Sequence, residues 1–378
     1  MKVLVAGDFC DTYRVSDLIK KGQYDLIFSE IKPIVEAADI SVVNFEMPIV
    51  AESACPIKKS GVSIKGQPKA VDAIKYAGFN VCTLANNHIL DQGENCCLET
   101  ISRIHKMGIE SVGAGSNIEE ASKVLYLNKN SETLAIVNCC EHEFSIASTT
   151  SAGANPLNPI RQYYAIQEAR KKADYVIVIV HGGPEHHQLP TPRMMEVYRY
   201  FVDVGADAVV CHHQHCFSGY EIYNKKPIFY GLGNLCFDWN EIEGIRNYGY
   251  MVIFNFASVG PTFEIIPYKQ CSNDKASVEL IDSSAIYQKI EEINETISNP
   301  EKLRRETNSY YEHSIGELHS IFEPIQNRVI SALQRRKYLP SLVSGNWLLK
   351  IENFIFCESH RDKVEYWLEK VRKGKCTN

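Results

Sequence analysis

Short, continuous apolar runs recur through about the first 260 residues of this 378-residue chain, at 2–6, 40–43, 80–84, 133–137, 174–180, 206–210, 227–230 and 251–256. Several are rich in Val and Ile and too short for buried helices, so they read as strands buried on both faces. Between them lie amphipathic stretches with helix punctuation: Pro68 opens a segment closed by Gly78, residues 94–107 end at Gly108, and 192–204 run from Pro192 to Gly205. Alternating strand and helix predict an α/β fold with a largely parallel sheet covered on both faces. Right-handed crossovers then bring the C-terminal ends of the strands to one edge, which is where open α/β sheets bind ligands.

What the strands carry to that edge is consistently polar. The first run leads into Gly7-Asp8-Phe9-Cys10, the second into Asn44-Phe45-Glu46, and the third into Asn86-Asn87-His88 with Asp91. The fourth leads into Glu141-His142, the fifth into His181-Gly182-Gly183 and the sixth into His212-His213-Gln214-His215. One such residue is more often a turn or cap than a ligand. Six strands delivering them together point to a metal centre. In an extended segment, His213 and His215 fall on one side, where both imidazoles can face an ion. His181, Asp8, Glu46 and the amide oxygen of Asn87 complete a mixed nitrogen and oxygen set, enough for two divalent ions sharing one carboxylate. Such ligation suits Mn, Fe or Zn better than Ca or Mg.

Net charge and cysteine usage narrow the setting. A formal charge of -6 gives no electrostatic reason to expect nucleic acid as a partner. Thirteen cysteines cannot all pair, and their scatter differs from that of a small disulfide scaffold, which points to a reducing compartment. The opening MKVLVAGDF carries no secretory core, and no long apolar run follows, so the expectation is a cytoplasmic protein without an integral membrane segment.

After about residue 284 the character changes. Ile286, Ile290, Ile293 and Ile297 follow helical spacing, and amphipathic patterns recur at 325–334, 347–356 and 364–371. The expected organisation is a catalytic-type domain over 1–284 and a helical extension over 285–378, serving as a cover, a homo-oligomer surface or a contact within a biosynthetic complex.

The ordered set Gly7-Asp8, Asn44-Phe45-Glu46-Met47-Pro48, Leu84-Ala85-Asn86-Asn87-His88 with Asp91 and Gly93, Gly113-Ala114-Gly115, His181 and Gly183 with Glu185, and the stretch from His212 to Asp238 resembles the CapA family. These are bacterial capsule and poly-γ-glutamate synthesis proteins of the calcineurin-like metallophosphoesterase superfamily, and the resemblance spans about residues 1–270. It implies a metallophosphatase-like layered α/β sandwich in which Asp8, Glu46 and His215 hold a first metal. Glu46, Asn87, His181 and His213 would hold a second. It also implies that His88, oriented by Asp91, is the non-ligand catalytic histidine, and that a water acidified by two divalent transition metals attacks a phosphoester or related bond in a small-molecule or polymer-precursor substrate.

The chain departs from the family pattern at Gly182, His186, Cys211, Gln214 and Cys10. Cys10 stands where many phosphoesterases place a first-metal histidine, so it is either a thiolate ligand or a small buried core residue. Glu185 and Glu221 are candidates for fixing imidazole tautomers, His186 for substrate contact, and Asn234 for a loop position in the site wall. The function this supports is a metal-dependent hydrolase linked to capsule, envelope or poly-γ-glutamate synthesis. An accessory binding subunit of an envelope-polymer synthesis complex is the alternative.

Overall fold

The computed structural model describes residues 1–50, 52–59, 61–239, 244–257, 260–282, 284–310 and 327–341. The expected segments 347–356 and 364–371, and the start of 325–334, lie outside the described residues. In chain order the strands are β1 (Lys2–Cys10), β2 (Ile40–Phe45), β3 (Val81–Thr83), β4 (Glu110–Val112), β5 (Ala114–Gly115), β6 (Leu125–Lys129), β7 (Glu132–Cys140) and β8 (Gly153–Ala154). They continue with β9 (Tyr175–His181), β10 (Ala208–His212), β11 (Tyr220–Tyr223), β12 (Lys226–Phe229), β13 (Asn234–Phe237), β14 (Tyr248–Asn255), β15 (Thr262–Gln270) and β16 (Val278–Leu280).

The strands form two large mixed sheets in a layered α/β arrangement, with β5 and β8 as a separate antiparallel pair, rather than the one largely parallel sheet expected from the alternation. The first runs β16-β15-β14-β1-β2-β3-β4, with β13 also pairing β1, and the second runs β11-β12-β10-β9-β7-β6. Their centres are parallel, as helical crossovers require: β1, β2, β3 and β4 in one, and β7, β9, β10 and β12 in the other. The departures come where the connection is too short for a helix. Asn224 and Lys225, at φ 47° and 63°, make a two-residue turn that folds β12 back antiparallel on β11. A short connection likewise turns β15 back on β14, which is antiparallel to β1.

The helices obey their punctuation. Lys69–Ala77 ends at Gly78 in the left-handed conformation, φ 97°, and buries Val71, Ile74 and Ala77. Pro192–Asp203 is capped by the Thr191 hydroxyl, which accepts from Met194 N. The helix Ser284–Ile297 buries Ile286, Ile290, Ile293 and Ile297, as its spacing indicates. Contacts place it within one compact unit formed by Met1–Ile57 and Gly61–Pro300. It is pinned there by Asn294, whose Oδ1 accepts from Tyr220 N at 2.8 Å, and by the Tyr287 hydroxyl, which donates to Ile265 O at 2.7 Å. Among the described residues no helix is long and apolar enough to cross a membrane.

One close approach decides where the site forms. A Cβ on Gly7 would lie 1.9 Å from Gly233 O, so only glycine lets β1 and β13 converge with Asp8 opposite Asn234. Gly7→Ala is therefore expected to cost about 3 kcal/mol or more, because the obstacle is backbone and cannot rotate away. Denaturant unfolding of the variant measures this directly.

Candidate metal centre

The first sheet contributes Asp8 from β1, Glu46 just beyond β2, and Asn87 and His88 from the loop after β3. The second contributes His181, the last residue of β9, and His213 and His215 just beyond β10. Asp8, Glu46 and His181 are no more than 2% exposed, and Asn87, His88, His213 and His215 are also buried. Backbone and amide bonds align strands within the first sheet, and the two sheets with each other, at this point. Glu46 N donates to Phe9 O at 2.9 Å, and Asn138 on β7 accepts from Ala85 N at 2.9 Å while donating to Ile179 O at 3.0 Å.

Two groups of potential ligand atoms share Glu46: Glu46, His181 and His213 form one, and Asp8, Glu46 and His215 the other. Within each group the atoms lie within 4.8 Å of one another. In the group of Glu46, His181 and His213, His181 Nε2 faces Asn87 Oδ1 at 3.0 Å, His213 Nδ1 at 3.1 Å and Glu46 Oε1 at 3.4 Å. A single imidazole N–H cannot serve three acceptors, whereas a divalent cation is held by such a set of lone pairs. In the group of Asp8, Glu46 and His215, His215 Nε2 is 3.9 Å from Glu46 Oε1. The other nitrogen of His215, Nδ1, is 2.9 Å from Asn234 Oδ1, so its proton is held there and Nε2 is left to ligate. Asn234 is thus more than a loop former: it orients His215.

The donor chemistry fits divalent ions. Burial, and then the neighbouring Glu46, push the Asp8 carboxyl well above the usual carboxylate range. Two acidic groups in one dry pocket disfavour each other's ionised form, and a cation reverses that. Burial pushes His181 and His215 well below the ordinary imidazole range, so both rings are neutral, the form that binds metal. His213 and His215 have φ of 99° and 55°, left-handed backbone that nonglycine residues rarely adopt, at a cost on the order of 1–3 kcal/mol each. Backbone strain of this kind is tolerated where side-chain direction is decided by a site.

Beside the two groups, His88 Nδ1 lies 2.7 Å from Asp91 Oδ2, and Asp91 is fully buried and also accepts from Ile64 N at 2.6 Å. The ring is held on one nitrogen by a carboxylate that is itself anchored. Its backbone N donates to Asn86 Oδ1 at 3.1 Å, while Asn86 donates to Phe45 O at 3.0 Å, so the loop is tied to the strand that delivers Glu46.

Some sequence expectations are corrected. Cys10 joins neither ligand group and lies in the hydrophobic core, where burial holds its thiol well above the ordinary range. Such a thiol is a small apolar filler rather than a thiolate ligand. Glu221 is bound by Arg199 and the Tyr230 hydroxyl, so it fixes no ligand imidazole. Glu185 is half exposed, with Oε2 3.8 Å from His186 Nε2, and so it sits beside His186 rather than behind a metal-facing histidine. His186 is exposed, with its ring 5.9 Å from that of His215 and 6.1 Å from that of Trp239.

Three further participants take their roles from contacts that the fold makes. Asn44 donates to Asp8 Oδ1 at 2.7 Å and its Nδ2 is 3.2 Å from His181 Nδ1. Asn138 aligns the sheets, and Glu143 contacts Asn87 and His213. Asn44 and Glu143 each lie within two residues of a position already noted, but only the fold shows what they touch.

A family model described as bacterial capsule synthesis protein PGA_cap matches residues 2–239, a span that includes every member of both ligand groups. The chain belongs to the PGA_cap family. This PGA_cap protein is 27% identical over 301 residues to the Bacillus anthracis capsule biosynthesis protein CapA, covering 77% of this chain and 72% of that one. It is 31% identical over 235 residues to the Bacillus subtilis PGA biosynthesis protein CapA, covering 61% and 62% of the respective chains. A Mycobacterium tuberculosis protein described as a probable polyglutamine synthesis accessory protein is 28% identical over 225 residues, covering 56% of this chain and 59% of that one.

The electrostatics of the PGA_cap site have a testable pH consequence. A carboxyl raised in the folded state contributes stability at low pH that is lost as pH rises through its folded pKa, and Asp8 does this in the metal-free protein. A cation needs the same group ionised. The gain in melting temperature on adding Mn²⁺ is accordingly expected to be larger at about pH 8 than at about pH 6, as read by differential scanning fluorimetry of metal-depleted protein.

Proposed function

We propose that this protein is a metal-dependent hydrolase that cleaves a phosphoester or related bond in a precursor used for capsule or poly-γ-glutamate synthesis. The observation that carries the reading is the sharing of Glu46 by two buried ligand groups, with the His88–Asp91 pair beside them. Two divalent ions would be held there, one by Asp8, Glu46 and His215 and the other by Glu46, Asn87, His181 and His213, and would supply Lewis acidity and a water acidified for attack near neutral pH. The chain's own residues do the rest. Asp8 and Glu46 bring two carboxylates into a pocket from which bulk water is excluded. Asn234 keeps His215 in one tautomer. Asp91 holds His88 at Nδ1, so the proton that His88 passes to a leaving group is the one on Nε2.

The capsule and polyglutamate context rests on the family and on the names of the Bacillus relatives. The mycobacterial relative, described as an accessory protein, favours a second reading: a binding subunit of a polymer-synthesis complex with little turnover of its own. Turnover of generic phosphomonoesters and phosphodiesters, measured with Mn²⁺, Fe²⁺ or Zn²⁺ added to metal-depleted protein, separates the two. Hydrolysis that requires the metal and saturates supports the enzyme. Two bound ions with no turnover of either substrate class, together with stable capture of a synthesis partner, support the accessory role.

A further inference from the structure

We infer that Glu143, in the loop after β7, is the positioning residue that sets both rotatable ligands of the second metal position. The inference rests on the metal centre proposed above. Glu143 Oε2 accepts from Asn87 Nδ2 at 3.2 Å, and an amide held by its nitrogen turns its oxygen the other way, toward His181 Nε2 at 3.0 Å. Glu143 Oε1 lies 3.6 Å from His213 Nε2. That is beyond hydrogen-bond length but well within charge range, so the carboxylate favours the proton on Nε2 and leaves the Nδ1 lone pair facing His181 at 3.1 Å.

One carboxylate thereby selects the amide orientation of Asn87 and the tautomer of His213, the two choices that a metal at this position needs made. The position formed by Asp8, Glu46 and His215 has its own supports: His215 takes its orientation from Asn234, and Asp8 takes its from Asn44 and His213 N. The two positions therefore have separate supports, and removing Glu143 acts on one of them. The side chain is 37% exposed, so its loss leaves no buried cavity. It also places a negative charge at the open side of the second position, which adds to the attraction for a divalent ion there.

The test is titration of Mn²⁺ into metal-depleted full-length protein, followed by electron paramagnetic resonance of free Mn²⁺ and of the coupled pair. Wild type is expected to take up two equivalents with a coupled-pair signal. In E143A the first equivalent keeps its affinity, the second weakens by about 10- to 100-fold, and the coupled signal disappears at stoichiometric metal. E143Q can accept from only one of the two partners and turns an N–H toward the other, so it weakens the second equivalent by about tenfold or more. Circular dichroism verifies folding, and if E143A does not fold, E143Q alone decides. Wild-type affinities in the folded variants, or equal weakening of both equivalents, overturn the positioning role while leaving the metal centre standing. Uptake of fewer than two equivalents by wild type overturns the metal centre and this inference with it.

Discussion

Glu46→Gln is expected to abolish binding at both metal positions at once, whereas His215→Ala and His181→Ala each remove one. The difference follows from sharing. Glu46 is the residue common to both ligand groups, and its carboxylate approaches His181 Nε2 at 3.4 Å and His215 Nε2 at 3.9 Å. A glutamine of the same shape keeps an oxygen but loses the charge that balances two divalent ions, and its NH₂ would turn toward one of them. Metal analysis after dialysis is expected to give close to zero equivalents for E46Q and one for each histidine variant. The variant should fold, and in metal-free protein its melting temperature should match or exceed that of wild type, because removing one of two buried acids relieves the mutual disfavour that raises Asp8. Gain of stability together with loss of metal is a signature that a purely structural glutamate would not give. One retained equivalent in E46Q would mean that the positions are independent.

The second large effect belongs to His88. If His88 delivers a proton to the leaving group, His88→Ala lowers kcat by about 10²- to 10⁴-fold while leaving both metal equivalents bound, a loss of about 3 to 5 kcal/mol of transition-state stabilisation. His88 is in neither ligand group, and this separates its effect from those of His181, His213 and His215. Asp91→Asn keeps a side chain of the same size but no longer holds the Nδ1 proton with a full charge, so a smaller loss is expected, with the pH profile of kcat displaced. A substrate with a good leaving group, such as a nitrophenyl ester, needs less protonation and should restore much of the lost rate in His88→Ala. If activity in His88→Ala is unchanged, or falls equally for good and poor leaving groups, the general-acid role is wrong.

How much of this was legible in the chain depends on range. The apolar runs and their Gly and Pro punctuation mark the centre of both sheets, because a buried parallel strand and a capped helix each write a local pattern. They do not show that the strands divide into two sheets. That division depends on β13, a four-residue strand, and on the antiparallel returns of β11 and β15, where the signal is a tight turn such as Asn224-Lys225 rather than a periodicity. The proposed ligand set draws on a legible pattern, because its members sit in or just beyond the ends of buried strands and two are paired as His-x-His.

The supporting contacts were not, since they depend on which side chains the fold brings within 4 Å. Glu221, at the start of β11, looks like a partner for an imidazole until Arg199 takes it. Glu143 follows a strand in an unremarkable Glu-His-Glu run, and only the meeting of β7 with the loop after β3 places it against Asn87. Cys10 illustrates the reverse: its spacing from Asp8 is that of a ligand pair, but of its two readings the fold favours the small buried core residue.

The central claim is that two divalent ions occupy adjacent positions sharing Glu46. Anomalous diffraction at the Mn edge, from crystals of metal-depleted protein soaked in excess Mn²⁺, tests it most directly. The expected result is two peaks about 3.5–4 Å apart, one bounded by Asp8, Glu46 and His215 and the other by Glu46, Asn87, His181 and His213. A map with no peak at Glu46, or with ordered Mn²⁺ only at sites away from these residues, would contradict it.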